Sequence, residues 1–164
     1  MGKIAQQMGL VDQVLYQQIN CSELLNNNWT KKEKEKLSPN ILRIVKHFND
    51  IVNWAISIIL TSKSKKQASS LLNKFGEIMQ DSFKIDDHHN VRAISAVFDS
   101  VPIHRLISKK YLNVKEKNEN FLKYLRSDIF SKNNSGYRRI LSKCSVQGKS
   151  CVPYIGIFFL FYFK

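Results

Sequence analysis

SPNILRIVKHFNDIVNWAISIIL, residues 38–60, carries the pattern that decides the fold. Ile41, Ile44, Val45, Phe48, Ile51, Val52, Ala55 and Ile59 recur at three- and four-residue steps. That spacing places them along one face of a long helix. Ser38 is expected to cap its N-terminus. Pro39 takes the first helical position, where its missing N–H costs nothing. Just upstream, Thr30-Lys31-Lys32-Glu33 fits a capping box and predicts a short helix after Trp29.

The same period continues downstream. A second stripe runs through Ala68, Leu71, Leu72, Phe75, Ile78 and Met79. A third covers Val91 to Phe98, and a fourth includes Phe121, Leu122, Leu125 and Ile129. Pro102 and Asn133-Asn134-Ser135-Gly136 read as breaks between helices. There is no internal repeat and no linker, so the expectation is one all-α, multi-helix unit.

Composition agrees. Of the 164 residues, 43% are hydrophobic and 24% charged, too apolar for disorder. Only 6 glycines and 3 prolines occur, which argues against turn-dense all-β architectures. Lys and Arg total 26 against 13 acidic residues, a formal charge of +13. That charge suits nucleic acid, an acidic protein or an anionic membrane without choosing among them. Cys21, Cys144 and Cys151 form no disulfide framework, and a reduced, intracellular chain is the simplest reading. The start, MGKIAQQMGL, is not apolar enough for a signal peptide. Gln6 breaks the myristoylation pattern that Gly2 would begin. The apolar run Tyr154–Phe163 falls short of the roughly 20 residues of a membrane-spanning helix.

Chemical motifs are mostly rejected. Gly148-Lys149-Ser150 resembles the end of a phosphate-binding loop, but Lys143 stands where that loop needs glycine. Asp86-Asp87-His88-His89 has metal-ligand residue types, yet neighbours on a helix point about 100° apart. A polar loop ahead of the third helix is the preferred reading. No metal or cofactor is expected. Lys31, Lys32, Lys34 and Lys36, alternating with Glu33 and Glu35, read as a solvated helix face. No nucleic-acid module is recognisable, and no nucleic-acid partner is expected.

Four segments, in order, resemble the catalytic domain of Ras-family guanine-nucleotide exchange factors of the Son-of-sevenless type. The first runs from IAQQMGLVDQVLY through Glu23-Leu24, Trp29 and Ser38-Pro39-Asn40 to Trp54. The second, AISAVFDSVPIHRL, ends in a Pro-x-x-Arg-Leu turn at Pro102, Arg105 and Leu106. The third is KNNSGYRRIL, through Asn133, Tyr137, Arg138 and Leu141. The fourth is SCVPYIGIF, through Cys151, Pro153 and Gly156. The resemblance covers Lys3 to Phe158, leaving 159–164 as a divergent tail of one partial domain, 1–164.

The resemblance implies an all-α domain that binds the switch regions of a Ras-family small GTPase and releases its nucleotide without making or breaking bonds, so no catalytic residue is expected. It implies a switch II pocket lined by Val45, Phe98, His104 and Tyr154, with Lys46, Asn49, Asp99 and Asn133 at its rim. Arg92 joins this set where the family has an apolar residue. His88 replaces a semi-buried aromatic, and Asn134 stands where the family favours tyrosine. Relatives continue beyond Gly156 into a hairpin with hydrophilic and acidic residues that act at the phosphate site. Here those positions hold Phe159, Leu160, Phe161 and Phe163. The expectation is a C-terminally truncated domain with weak exchange, cytoplasmic, its positive charge holding it near the inner face of the plasma membrane. The alternative is a non-catalytic helical module that binds a GTPase or a scaffold.

Overall fold

The computed structural model of the chain describes residues 2–131 and 134–157. Those residues are helical almost throughout, as the periodicity requires. The order is α1 (Gly2–Gln17), a kinked 3-10 stretch (Cys21–Thr30), α2 (Lys34–Leu37), α3 (Pro39–Leu60) and α4 (Lys65–Lys84). Then follow α5 (His88–Asp99), α6 (Val101–Ser108), α7 (Glu116–Tyr124), a single π turn (Leu125–Ile129) and α8 (Ser135–Val146). Among the described residues the sole strand-like pairing is one isolated bridge, Asp87 with Val152.

Helix α5 is the axis of the packing. It lies against α3 and α4, and α4 in turn packs on α1 and α3. Its stripe is buried nearly all round: Val91, Ala93, Ile94 and Val97 have no exposure and Phe98 has 1%. Only Arg92, Ala96 and Asp99 of this helix reach the surface, and a helix buried on most of its sides belongs inside a bundle. The same buried cluster includes Ala55 and Ile59 from α3 and Leu72, Phe75 and Met79 from α4. Pro102 falls in the first turn of α6, so the break lies at Ser100 and the proline starts a helix rather than ending one.

The start of α3 is built differently from expectation. The Ser38 hydroxyl makes no cap; it donates to the Glu23 carbonyl at 2.9 Å. The cap comes from the Glu23 carboxylate, which accepts the N–H of Asn40 at 2.8 Å and of Ile41 at 3.1 Å. Its other oxygen takes the Asn20 N–H at 3.2 Å and the Asn40 amide at 2.8 Å. Burial raises the Glu23 carboxyl, but these hydrogen bonds outweigh it and hold the group below its ordinary value. The capping box expected at Thr30–Glu33 does not form either. The Thr30 hydroxyl donates to the Asn27 carbonyl at 2.8 Å, and α2 begins only at Lys34.

Two polar fittings join the outer helices. The Asn118 amide of α7 donates to the Asn73 side chain at 3.0 Å and accepts from Gln80 at 2.7 Å. It lies across Gly76, where a β-carbon would sit 2.5 Å from the amide, so the close approach needs glycine. At the start of α5, Asp87 accepts the Asn90 N–H at 3.1 Å. The Asn90 amide bridges Asp87 and Asp12 of α1, at 2.6 and 2.7 Å. His47 Nε2 stands 3.1 Å from the other Asp12 oxygen.

Most of the segment read as a polar loop, Asp86–His89, is therefore buried: Asp87, His88 and His89 are at most 1% exposed, as is the following Asn90, while Asp86 is half-buried. His88 fills the aromatic position among the rings of Phe83 and Tyr137, at 5.7 and 5.2 Å. His89 packs edge-on to Tyr16 and Phe48. Burial pushes both imidazoles down to about 4.

Candidate docking site along helix α5

The residues after α8 are tied down at several points, and this fixes Tyr154. His88 N–H donates to the Val152 carbonyl at 2.9 Å, and Val152 N–H to the Asp86 carbonyl at 3.0 Å. Lys149, from the segment that resembled a phosphate loop, instead pairs with Asp86 at 2.5 Å. The Tyr16 hydroxyl donates to the Pro153 carbonyl. The Tyr137 hydroxyl accepts the Tyr154 N–H at 2.6 Å, and burial pushes that phenol well above its ordinary value. Four elements thus converge on a short extended stretch and hold the Tyr154 ring half-buried beside Phe48, centroids 5.8 Å apart.

Arg92, midway along α5, lies over two aromatic faces. Its guanidinium is 5.1 Å from the Phe130 ring centre and 6.0 Å from that of Tyr154. A stacked guanidinium keeps an apolar underside and a hydrated edge, which is how a cation fits between two rings at this position. Val45 sits one turn before Phe48 on the same side of α3 and is half-buried. Lys46 and Asn49 are exposed, and Lys46 pairs with Asp50 at 2.6 Å.

Two turns further along the same face of α5, about 10 Å away by helical rise, a second group forms around Asp99. The Asp99 carboxylate accepts from Arg126 at 2.5 Å. Beside it, Phe98 and exposed His104 line a hollow of about 260 Å³, with Ile107, Leu122 and Arg126. Val45 and Tyr154 do not line this hollow. The candidate residues therefore fall into two neighbouring groups, one around Arg92 and one around Asp99. The turn after α7 connects them, touching Asp99 through Arg126 and Arg92 through Phe130. Asn133 lies outside the described residues.

Sequence reasoning missed Phe48, Phe130 and Arg126, the side chains that touch the candidate residues. Phe48 stood in the α3 stripe and gave no sign that it would face Tyr154 rather than the core. Phe130 and Arg126 became relevant only when the π turn brought them against α5. The assembled face offers flat rings, a stacked guanidinium, an open hollow and exposed polar groups. That combination suits docking of a protein segment with an apolar anchor and charged flanks.

Comparison with known proteins identifies the chain's relatives. The RasGEF domain family matches residues 3–161. The chain is 29% identical over 95% of its length to the Ras-specific guanine nucleotide-releasing factor RalGPS1 of Danio rerio, covering 26% of that protein. It is 32% identical over 94% to Rap guanine nucleotide exchange factor 1 of Homo sapiens, covering 14% of it. It is 31% identical over 94% to Ras guanine nucleotide exchange factor W of Dictyostelium discoideum, covering 13% of it. The chain spans about a quarter or less of the length of these three relatives. With a helical bundle throughout and a family match over almost every residue, this chain belongs to the RasGEF domain family.

Proposed function

We propose that this domain acts as a guanine-nucleotide exchange factor for a Ras-family small GTPase and grips its switch II segment with the face of α5 described above. The match to the RasGEF domain over residues 3–161 carries this reading. The names of the relatives, guanine-nucleotide releasing and exchange factors for Ras and Rap, point to the same partner class. Val45, Arg92 and Tyr154 would receive an apolar switch residue. Phe98 and His104 would receive a second part of the segment, while Lys46, Asn49 and Asp99 meet its charged and polar flanks, with Asn133 as a further rim contact.

The physics is linkage. A partner that binds the empty GTPase more tightly than the loaded one must weaken nucleotide affinity by the same factor. For residues 1–164 by themselves we expect capture of the empty GTPase with slow release. Phe159, Leu160, Phe161 and Phe163 bring no hydrophilic side chain to the positions where the resemblance leads one to expect residues that act at the phosphate site. The domain would work in the cytoplasm.

Two assays on residues 1–164 separate binding from exchange. Pull-down with nucleotide-free and GDP-loaded Ras, Rap and Ral proteins reads capture; release of a fluorescent GDP analogue reads exchange. Capture of an empty GTPase in preference to the loaded form is the expected result. No preference for any member would remove the reading, and fast release would remove the expectation of slow exchange.

A further inference from the structure

The end of the bundle where α3 turns into α4 gathers lysines without neutralising them. Lys63, Lys65 and Lys66 come from the α3–α4 turn and the start of α4, and Lys109 and Lys110 from the end of α6; Lys74, midway along α4, joins them through a hollow shared with Lys66. All six are exposed. The elements are physically joined: Lys65 Nζ donates to the Lys110 carbonyl at 3.2 Å and lies 5.6 Å from the centre of the Tyr111 ring. Two open hollows meet at Lys66, Ser69 and Asn113, and Lys74 lines one of them. Among the described residues no carboxylate pairs with any of the six. The nearby acid Glu77 is already held by Lys115 at 3.0 Å. Two large apolar side chains stand out at the same end, Leu60 at 46% exposure and Tyr111 at 48%.

We propose that this end of the molecule is a docking surface for an anionic lipid bilayer. Exposed lysines attract an anionic leaflet, and a tyrosine and a leucine among them can settle at the headgroup level. The six cations are all lysine, point charges suited to a fluid array of headgroups rather than to bidentate reading of bases. Lys65 already covers one side of the Tyr111 ring, which leaves it poorly placed to stack a nucleobase. The patch would meet a membrane whether or not α5 meets a GTPase. The two surfaces share α6, which carries His104 at its middle and leads into Lys109 and Lys110 at its C-terminal end.

The test is co-sedimentation of residues 1–164 with vesicles of phosphatidylcholine alone and with about one-third phosphatidylserine, at about 0.1 M salt. The expected result is binding to the anionic vesicles only. A variant with K63Q, K66Q, K74Q, K109Q and K110Q should lose about fivefold in partitioning per lysine removed, the ratio for roughly 1 kcal/mol per basic residue near the surface. A control variant with K31Q, K32Q, K34Q, K36Q and K143Q removes the same charge elsewhere and should bind nearly as well as the parent. All ten positions are exposed, and retained helical circular dichroism confirms folding. Equal losses in both variants would overturn the assignment, as would equal binding to neutral vesicles. Displacement from the vesicles by equimolar single-stranded RNA would overturn it in favour of nucleic acid.

Discussion

The carboxylate of Glu23 accepts the backbone N–H of Asn40 at 2.8 Å and so caps α3 from another element of the chain. With Ile41, Asn20 and the Asn40 amide it accepts four hydrogen bonds while only 3% exposed. Glu23→Ala strands four donors at once, and the expected loss is about 3 kcal/mol, the range for hydrogen bonds to a buried charge. Glu23→Gln keeps the shape but loses the charge, so it should cost less. Because the folded carboxyl lies below its ordinary value, its stabilisation is present above pH 4.5 and lost as pH falls through the lower, folded value. Urea titration reads both changes. A Glu23→Ala midpoint equal to the parent's would remove this cap from the account of the fold.

His88 occupies an aromatic hole with neither ring nitrogen hydrogen-bonded among the described residues. A buried polar group without partners costs stability. His88→Phe should therefore stabilise the chain by about 1 kcal/mol, keeping the edge contacts to Phe83 and Tyr137. Thermal denaturation at neutral pH decides it. A lower melting temperature would mean that the imidazole has a partner outside the described residues.

The same corner sets the pH profile. The unfolded chain protonates His88 and His89 near 6.5, but burial holds the folded imidazoles down to about 4. Their effect destabilises the fold progressively as pH drops between those values. Asp87 works in the opposite sense. Burial and the Asp12 carboxylate push it from 3.8 up to about 7, so its contribution is full below 3.8 and lost as pH rises to about 7. Between about pH 4 and pH 6.5 two histidines oppose one carboxyl, and stability should rise with pH. Above that only Asp87 changes, and a small decline should follow. Denaturation midpoints across this range should peak near pH 6.5. The double variant with His88→Phe and His89→Phe should lose the rising limb. A parent profile that climbs steadily through pH 8 would contradict the raised Asp87.

The helices were legible because their signal is local. The α3 stripe, Pro39 and the stripes of α4 and α5 each depend on residues within a few turns. Glu23 was not legible as a cap, since its partner lies in another element and the nearer Ser38 is the usual choice. Asp86–His89 looked like loop residues because they are polar. Only the meeting of α1, α5 and the stretch after α8 buries the last three of them, although resemblance had marked His88 as standing in an aromatic place. At the candidate site, Arg92, Asp99 and His104 came from resemblance, whereas their contacts Phe130 and Arg126 depend on how one turn packs on α5.

That packing separates residues whose loss should damage the fold from those whose loss should damage docking alone. Phe98 is 1% exposed within the core, so Phe98→Ala should cost about 3–5 kcal/mol through the cavity left behind. Lost GTPase capture in that variant would say nothing specific about docking. Lys46 and His104 are exposed, and the Lys46–Asp50 pair is a surface contact of small worth. Lys46→Ala and His104→Ala should therefore leave stability within about 0.5 kcal/mol while lowering capture of an empty GTPase at least severalfold, an effect confined to binding. Arg92→Leu installs the apolar side chain that the resemblance led one to expect and removes the cation over Phe130 and Tyr154. It should keep the fold and change which GTPase is captured, since charge at the centre of a docking face acts on specificity. Pull-down against several Ras-family proteins beside a urea curve for each variant measures both axes. Unchanged capture by Lys46→Ala and His104→Ala together would move the docking face away from α5.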